Sequence, residues 1–274
     1  MPELPEVEVL RRSLAPLLVG DRIEQVDVHE RRLREPVRPA ELVRRLAGRQ
    51  VLELRRRAKY LLIDVEGGST LVVHLGMSGR LTLSDAEAPQ EDHEHVAFRL
   101  ASGRRLRFRD PRRFGLVFAV ATDRLEGSKH LRPLGPEPLS DGFFGTVLAA
   151  AAQGRRGPVK SFLMNNAVVV GVGNIYASES LFRAGIHPNR SVARIAPERW
   201  EALATAVRTV LAQAIVEGGT TLNDFTDGQG NEGYFQVSLS VYDREAQPCP
   251  HCGAPIRRLV QTGRSTYYCP KCQR

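Results

Sequence analysis

Four cysteines near the carboxyl end of the chain have the spacing of a metal site. They form the pattern C-x2-C-x16-C-x2-C and are Cys249, Cys252, Cys269 and Cys272. Two facing Cys-x-x-Cys turns can supply four thiolates to one tetrahedral Zn²⁺ ion. A pair of disulfides is the alternative, which a reducing cytoplasm disfavours. We therefore predict one structural zinc ion, whose binding would contribute folding free energy to a tail too short for its own core.

A second group with chemical potential lies at the other end, where Pro2 and Glu3 precede Glu6. Removal of Met1 would expose a secondary amine at Pro2, and an α-amino group has a pKa of about 8. Such an amine can attack an aldehyde-like carbon and form a cationic iminium, which activates the neighbouring carbon for elimination. Glu3 could then act as the general acid or base. The alternative is simple helix capping, because a helix N-terminus favours carboxylates.

The elements that must position these residues differ between the two halves of the chain. Pro5 and apolar residues at helical spacing from Val7 to Leu17 predict a short amphipathic N-terminal helix. From about residue 21 to 120 the hydrophobic pattern alternates, and Gly67-Gly68 and Ser102-Gly103 mark tight turns between strands. Several short strands at this spacing predict an antiparallel sandwich or barrel.

The second half has a helical pattern from about residue 141 to 217. Pro197 suits a first helical turn, and Gly218-Gly219 suits a helix end. The proline-rich segment "LRPLGPEPLS" predicts an interdomain linker. The segment between the two cysteine pairs predicts a hairpin with Arg264 near its tip, where it could bind phosphate or lie in a solvated loop. The predicted domains are residues 1–130, a linker at 131–140, residues 141–235 and a zinc finger at 236–274.

The charge distribution favours a polyanionic partner, either nucleic acid or an acidic membrane surface. The 274 residues carry a net charge of +8, and the pI is near 9.7. Residues 31–60 hold eleven basic and three acidic side chains, residues 99–113 hold seven arginines and one aspartate, and residues 255–274 hold five basic side chains and no acid. Solvated faces are the alternative for each run. No apolar run approaches the roughly 20 residues of a membrane span, and the first residues lack a secretory pattern, so we expect a cytoplasmic protein.

Five motifs in register resemble one known family. "PELPEVE", "HLGMSG" at 74–79, "DPRRFG" at 110–115, "GVGNIYASESLF" at 171–182 and the four-cysteine ribbon occur in this order. The chain closely resembles the bacterial formamidopyrimidine-DNA glycosylases, which excise 8-oxoguanine. The resemblance implies an α+β fold, with an N-terminal helix on a β-sandwich and a C-terminal helix–two-turn–helix domain that carries a zinc-ribbon hairpin. It also implies a DNA-binding groove between the domains.

The resemblance assigns catalytic roles to the N-terminal residues. Pro2 would be the nucleophile that forms a Schiff base with the sugar of the damaged nucleotide. Glu3 would donate and shuttle protons, and Glu6 would support the site. The implied reaction is base excision followed by β- and δ-elimination at the abasic site, without a redox cofactor.

The resemblance also assigns DNA contacts. The residues that match the family's phosphate ligands are Lys59, His74, Lys160, Asn174, Tyr242 and Arg264, of which Lys59 and Arg264 are grouped with the catalytic residues. Met77, Arg112 and Phe114 match the triad that fills the space left by a flipped base, and Arg112 would bond the orphaned cytosine. Core packing and a surface charge are the alternatives for these three. Residues 220–235 resemble the loop that caps the extruded purine.

The expected partner is damaged double-stranded DNA. We expect the protein to act as a monomer, to bind no membrane, and to be associated with the bacterial nucleoid. Two other functions stay open at this point. An endonuclease VIII-like glycosylase for oxidised pyrimidines is the nearer one, although that group more typically begins Pro-Glu-Gly-Pro-Glu and Leu4 departs from it. A non-catalytic zinc-ribbon DNA-binding protein is the other, and Pro2, Glu3 and Glu6 argue against it.

Overall fold

A computed structural model describes residues 2–220, 228 and 238–274. The chain divides into two compact units. The N-terminal unit comprises Met1–Arg132 and Glu217–Gln236, and the C-terminal unit comprises Pro133–Val216 and Val237–Arg274. Among the described residues, no helix has the length and apolar character that a bilayer crossing requires.

Among its described residues, the N-terminal unit contains two α-helices and eight strands. The helices are α1 (Leu4–Leu18) and α2 (Pro39–Leu46). The strands are β1 (Arg22–Val28), β2 (Arg49–Arg57), β3 (Tyr60–Val65), β4 (Ser69–His74), β5 (Arg80–Asp85), β6 (Glu94–Leu100), β7 (Arg104–Arg109) and β8 (Leu116–Ala121). All neighbouring strands are antiparallel, in the order β5-β7-β6-β1-β2-β3-β4-β8.

The strands form the predicted sandwich because the sheet is nearly interrupted at its centre. β1 pairs with β2 only at Arg22 and Ile23, and both strands shift register beside that junction. The junction joins two sets of four strands. One buried core unites apolar residues from α1, α2 and the strands of both sets, so apolar burial stabilises the scaffold as a whole. The α+β prediction is confirmed.

Two local features differ from the predicted pattern. Helix α2 was not predicted, because its apolar residues Leu42 and Leu46 lie within an arginine-rich run; Pro39 opens it and both leucines are buried. In the second half, the helical pattern predicted from about residue 141 to 217 is interrupted, since the helix that begins at Val159 ends at Leu163. The Asn165 side chain accepts a hydrogen bond from the Ala167 N–H at 3.0 Å, which favours a turn there.

The C-terminal unit contains four helices and one hairpin among its described residues. They are α3 (Gly145–Ala152), α4 (Val159–Leu163), α5 (Asn174–Arg183), α6 (Pro197–Val216), β9 (Arg257–Gln261) and β10 (Arg264–Tyr268). Pro197 opens α6, and the predicted tail hairpin is present with Arg264 at the start of its second strand. A small apolar cluster under the hairpin includes Phe182, Val241 and Ile256.

The sequence boundaries placed residues 141–235 in one domain, but the described residues of 217–236 group with the N-terminal unit. Hydrogen bonds explain the difference. Thr220 bonds to Glu6, and the Gly228 N–H donates to Ser13 Oγ at 2.9 Å. The chain therefore returns to α1 after α6.

Candidate active site and nucleic-acid interface

Pro2 and Glu3 are buried at the start of α1, in a backbone that Glu6 holds in place. Glu6 Oε2 accepts the Glu3 N–H at 2.7 Å. Its Oε1 accepts both the N–H and the hydroxyl of Thr220, each at 3.0 Å. Gly219, at φ +78°, packs so closely that an added Cβ would lie 3.2 Å from the Glu6 side chain. The carboxylate of Glu6 thus fixes the segment that carries Pro2 and Glu3.

His74 and Lys59 lie at adjacent strand ends, where Tyr60 of β3 pairs with His74 of β4 and their ring centroids are 4.9 Å apart. The Gly76 N–H donates to His74 Nδ1 at 3.0 Å. Burial, followed by the Lys59 charge, lowers the pKa of His74 to about 3. The imidazole is therefore neutral near pH 7. Because Nδ1 accepts a hydrogen bond, its proton is on Nε2.

Met77, Arg112 and Phe114 lie on two adjoining loops of the N-terminal unit, and all three are exposed. The exposed fractions of Met77 and Phe114 are 37% and 45%. The Arg112 guanidinium lies 5.1 Å from the Phe114 ring centroid. Such exposure excludes the core-packing alternative for both apolar side chains. We call these three residues the wedge.

The two wedge loops touch backbone to backbone. Gly76 has φ +65°, and a Cβ there would lie 2.5 Å from the Phe114 carbonyl carbon. A Cβ on Gly115 would lie 2.9 Å from the His74 carbonyl oxygen. Only glycine permits this approach at both positions.

Ser78 and Asp110 join the same loops through hydrogen bonds. The Ser78 hydroxyl donates to Asp110 Oδ1 at 2.6 Å and accepts the Arg112 N–H at 3.2 Å. Asp110 Oδ2 accepts the Gly115 N–H at 2.7 Å. Sequence reasoning did not select either residue, although both lie within quoted motifs. The sequence feature that could have identified Ser78 and Asp110 is the presence of a hydroxyl and a carboxylate in short glycine-containing loops beside the wedge residues.

In the C-terminal unit, Lys160, Asn174 and Tyr242 form one hydrogen-bonded group. Lys160 is only 1% exposed, and its Nζ donates to Asn174 Oδ1 at 2.6 Å and to Thr266 Oγ1 at 2.7 Å. Asn174 Nδ2 donates to Tyr242 Oη at 3.3 Å and to the Ser265 carbonyl oxygen at 3.0 Å. The group thus reaches the hairpin strand that begins at Arg264, whose side chain is exposed.

Glu179 holds the backbone of the segment that carries Tyr242. Its carboxylate accepts the N–H groups of Ser240, Val241 and Tyr242 at 2.9, 3.0 and 2.8 Å. Burial raises the pKa of Glu179, and these three hydrogen bonds oppose that rise. Sequence reasoning also missed this residue, which lies inside the quoted "GVGNIYASESLF".

The four cysteines converge on one point, with all four Sγ atoms within 4.8 Å of one another. The Cys249–Cys272 and Cys252–Cys269 sulfur atoms are 3.8 and 3.5 Å apart. Both distances exceed the S–S bond length of about 2.05 Å, so the pairs are not disulfides. The Ala254 N–H lowers the pKa of Cys252 to about 7, which favours the thiolate. Four converging sulfur ligands fit tetrahedral zinc.

The sequence-predicted residues therefore fall into groups within each unit. The N-terminal unit holds the Pro2–Glu3–Glu6 segment, the Lys59–His74 pair and the wedge. The C-terminal unit holds the Lys160–Asn174–Tyr242 group, Arg264 and the cysteines. The predicted capping loop, 220–235, lies outside the described residues except for Thr220 and Gly228.

Comparison with known proteins decides the family. Three family profiles match successive parts of the chain: the formamidopyrimidine-DNA glycosylase N-terminal domain at residues 1–117, the H2TH domain of the same enzymes at 134–226, and a zinc finger found in FPG and IleRS at 246–274. The chain belongs to the formamidopyrimidine-DNA glycosylase family. This family membership confirms the resemblance, and it makes the chain a base-excision repair enzyme of the DNA glycosylase type.

Relatives and solved structures agree with this family. Formamidopyrimidine-DNA glycosylases of Acidithiobacillus ferrooxidans and Alcanivorax borkumensis are 53% and 54% identical, over the full length of both chains in each case. The MutM (Fpg) structure from Thermus thermophilus has 42% identity and a TM-score of 0.89, covering 99% of this chain and 98% of that one. The Lactococcus lactis Fpg in complex with abasic-site DNA has 31% identity and a TM-score of 0.92, covering 99% of each chain.

The zinc-finger profile and the converging thiolates together confirm one structural zinc ion, held by the four cysteines. Its role is to fold the tail, since four protein ligands leave no open coordination position for a reactant. The two cysteine pairs that would hold the ion flank the hairpin that carries Arg264, so a bound ion would fix the base of that hairpin.

Proposed function

We propose that this chain excises oxidised purines from duplex DNA and then cuts the strand at the abasic site, with Pro2 as the nucleophile. The observation that carries the proposal is the buried segment at the start of α1, where Glu6 fixes the backbone next to Pro2 and Glu3. A secondary amine beside a carboxyl group supplies a nucleophile and a proton carrier at adjacent positions.

The first step joins the Pro2 nitrogen to C1′ of the damaged nucleotide. The C1′–base bond breaks, and the departing base takes a proton that Glu3 supplies. The Pro2 nitrogen then gives up its N–H proton and the C1′–O4′ bond breaks, so that O4′ takes up a proton as a hydroxyl and a cationic iminium forms between the Pro2 nitrogen and C1′. Since proline is a secondary amine, this iminium keeps its positive charge at any pH.

The second step uses the iminium as an electron sink. Loss of a proton from C2′ expels the 3′ phosphate in β-elimination. A second proton loss expels the 5′ phosphate in δ-elimination, and hydrolysis of the iminium releases Pro2. The strand is thus cut on both sides of the lost nucleotide.

Phosphate binding would hold the duplex during these steps. Neutral His74 would donate its Nε2–H to a phosphate oxygen, whereas Lys59 and Arg264 would contribute positive charge. Asn174 and Tyr242 would bind phosphate from the C-terminal unit. Lys160 is buried and donates to Asn174, which supports an orienting role for Lys160 at that phosphate site.

The wedge would fill the space that the extruded nucleotide leaves in the duplex. Apolar side chains inserted between base steps offset the lost stacking, which is worth a few kcal/mol per step. Arg112 would hydrogen-bond the orphaned cytosine. We further propose that the enzyme acts as a monomer on nucleoid DNA in the bacterial cytoplasm, in line with its basic charge.

Trapping with borohydride tests the nucleophile, because reduction converts the iminium to a stable protein–DNA adduct. We expect an adduct with an 8-oxoguanine·cytosine duplex, and none when a short N-terminal extension converts the Pro2 nitrogen to an amide. A matched variant with the same extension at the carboxyl end controls for the added residues. Equal trapping by the blocked protein would contradict the proposal. Preferential trapping with a thymine glycol duplex would instead favour the endonuclease VIII-like alternative.

A further inference from the structure

The wedge is held by a hydrogen-bonded pair that the proposed function does not explain. Asp110 is fully buried, and each of its carboxylate oxygens accepts a hydrogen bond from a different loop. One comes from Ser78, in the Met77 loop, and the other from Gly115, next to Phe114. Ser78 in turn accepts the Arg112 N–H. Every wedge residue is therefore adjacent in sequence to, or is itself, a member of this network.

We propose that Ser78 and Asp110 are positioning residues that hold Met77, Arg112 and Phe114 as one preorganised wedge for insertion into the duplex. This inference rests on the proposed function and deepens it. We call the pair the Ser78–Asp110 clasp. Neither residue is proposed to touch DNA, and their effect passes through the two loops.

The advantage of a preorganised wedge is entropic. Two separate surface loops would lose conformational freedom when they insert together, and each ordered residue costs about 1–2 kcal/mol at 25 °C. The clasp and the glycine contacts between the loops remove that freedom before DNA binds. Catalytic geometry is sensitive to such ordering, since a misplacement of about 1 Å can lower a rate about 100-fold.

The clasp also has further anchors in the sheet. His95 Nε2 donates to the Asp110 carbonyl oxygen at 2.7 Å, and the Asp110 N–H donates to the His93 carbonyl at 3.1 Å. The Gly76 N–H bonds to His74, so the same loop joins the wedge to a proposed phosphate ligand. Insertion of the wedge and phosphate binding would therefore be coupled through one short segment.

The chemistry of the clasp predicts a distinctive order among variants. Ser78→Ala removes the hydroxyl that joins both loops, whereas Ser78→Thr keeps it. Asp110→Asn keeps the shape but has one acceptor oxygen where the carboxylate has two, so one of the two loops loses its bond. Ser84→Ala is a matched control, because Ser84 lies on the neighbouring strand β5 and its hydroxyl donates to the Asp85 carbonyl.

Single-turnover excision of 8-oxoguanine opposite cytosine measures the effect on the reaction. We expect Ser78→Ala and Asp110→Asn to lower the rate at saturating enzyme by about 10-fold, the usual effect of one buried hydrogen bond. Ser78→Thr should recover most of the rate, and Ser84→Ala should match the wild type. The preference for cytosine over adenine opposite the lesion should also shrink in Ser78→Ala, because Arg112 is less well fixed.

Two further readouts separate positioning from a general loss of structure. The fluorescence of a 2-aminopurine placed beside the lesion should increase less on binding of Ser78→Ala than on binding of the wild type, because the wedge unstacks the base less completely. Trapping on an abasic single strand, which has no stack to fill, should proceed at the wild-type rate. If Asp110→Asn does not fold, the comparison of Ser78→Ala with Ser78→Thr still tests the proposal.

The contradicting results are equally distinct. Wild-type excision and 2-aminopurine emission in Ser78→Ala would overturn the positioning role alone. An equal loss of single-strand trapping in Ser78→Ala would also overturn it, since the defect would then lie outside the wedge. Absence of trapping by the wild type would reject the proposed function and this inference together.

Discussion

His74 shows how its surroundings decide what a single side chain can contribute. A histidine that binds phosphate is ordinarily expected to be positive, but burial and the nearby Lys59 keep this imidazole neutral. The Gly76 N–H occupies Nδ1, so only Nε2–H is available for a ligand. The residue is therefore a hydrogen-bond donor and does not act as a counter-ion. The motif "HLGMSG" indicated its position, whereas its protonation state depends on neighbours that spacing does not reveal.

This distinction predicts different salt dependences for two variants. Arg264→Gln should weaken DNA binding and reduce the slope of log Kd against log salt by about 1, since one released counterion is lost. His74→Gln should weaken binding without changing that slope. Arg183→Gln, an exposed arginine at the end of α5, is the control. Fluorescence anisotropy across a salt series measures all three, and an equal fall in slope for His74→Gln would show a charged imidazole.

The same histidine predicts a pH dependence of stability. Its pKa is lower in the folded state, about 3, than the roughly 6.5 of an unfolded histidine. Between these values the unfolded chain binds the extra proton, so the free energy of unfolding falls as pH drops below 6.5. His74→Gln should show a shallower fall between pH 7.5 and 5 in urea unfolding. A steeper or identical fall would contradict the assignment.

At the scale of elements, the local sequence pattern was sufficient to predict a helix or strand whose buried apolar residues follow the regular spacing of that element. Helix α1, the strands around Gly67-Gly68 and Ser102-Gly103, and helix α6 after Pro197 all follow their sequence signals. Helix α2 was missed because two leucines in an arginine-rich run give a weak signal. The Asp110 and Glu179 hydrogen bonds could not be predicted, since their partners are brought together only by the folded chain.

Glu179 provides a prediction for how α5 supports the segment from Ser240 to Tyr242. Glu179→Ala would leave one buried and two partly buried N–H groups without their acceptor, and we expect a loss of about 3 kcal/mol in the free energy of unfolding. DNA affinity should fall as well, because the Tyr242 hydroxyl is bonded to Asn174. Chemical denaturation measures the first effect. Glu198→Ala, at an exposed position in α6, should change the free energy of unfolding by only a few tenths of a kcal/mol. A loss in Glu198→Ala as large as the loss in Glu179→Ala would contradict the role assigned to the Glu179 hydrogen bonds.

At the scale of the whole molecule, most of the architecture follows from two sequence signals, the alternating first half and the helical second half. The cysteine spacing alone identified the metal site, because four thiolates at that spacing have few other uses. The return of Thr220 to Glu6 was not predictable, since it joins residues more than two hundred positions apart. The sequence boundary at 235 therefore differs from the boundary between the compact units.

Zinc removal tests how independently the tail is stabilised. A chelator should abolish amide protection in β9 and β10, because the metal supplies the folding free energy of this short segment. Protection in the β-sandwich strands should persist, and DNA affinity should fall about 10-fold or more as Arg264 loses its fixed position. Cys269→Ala should behave likewise, and added zinc should restore only the chelated wild type. An ordered, metal-free tail would contradict the structural role.

The central claim is that the Pro2 nitrogen forms the covalent bond to the sugar. Peptide mapping of the borohydride-reduced adduct tests this claim most directly. After nuclease and protease digestion, mass spectrometry should find the residual deoxyribose fragment on the peptide that begins with Pro2, attached at its ring nitrogen. Fragment masses that place the sugar on a lysine, such as Lys59 or Lys160, would contradict the mechanism proposed for this enzyme.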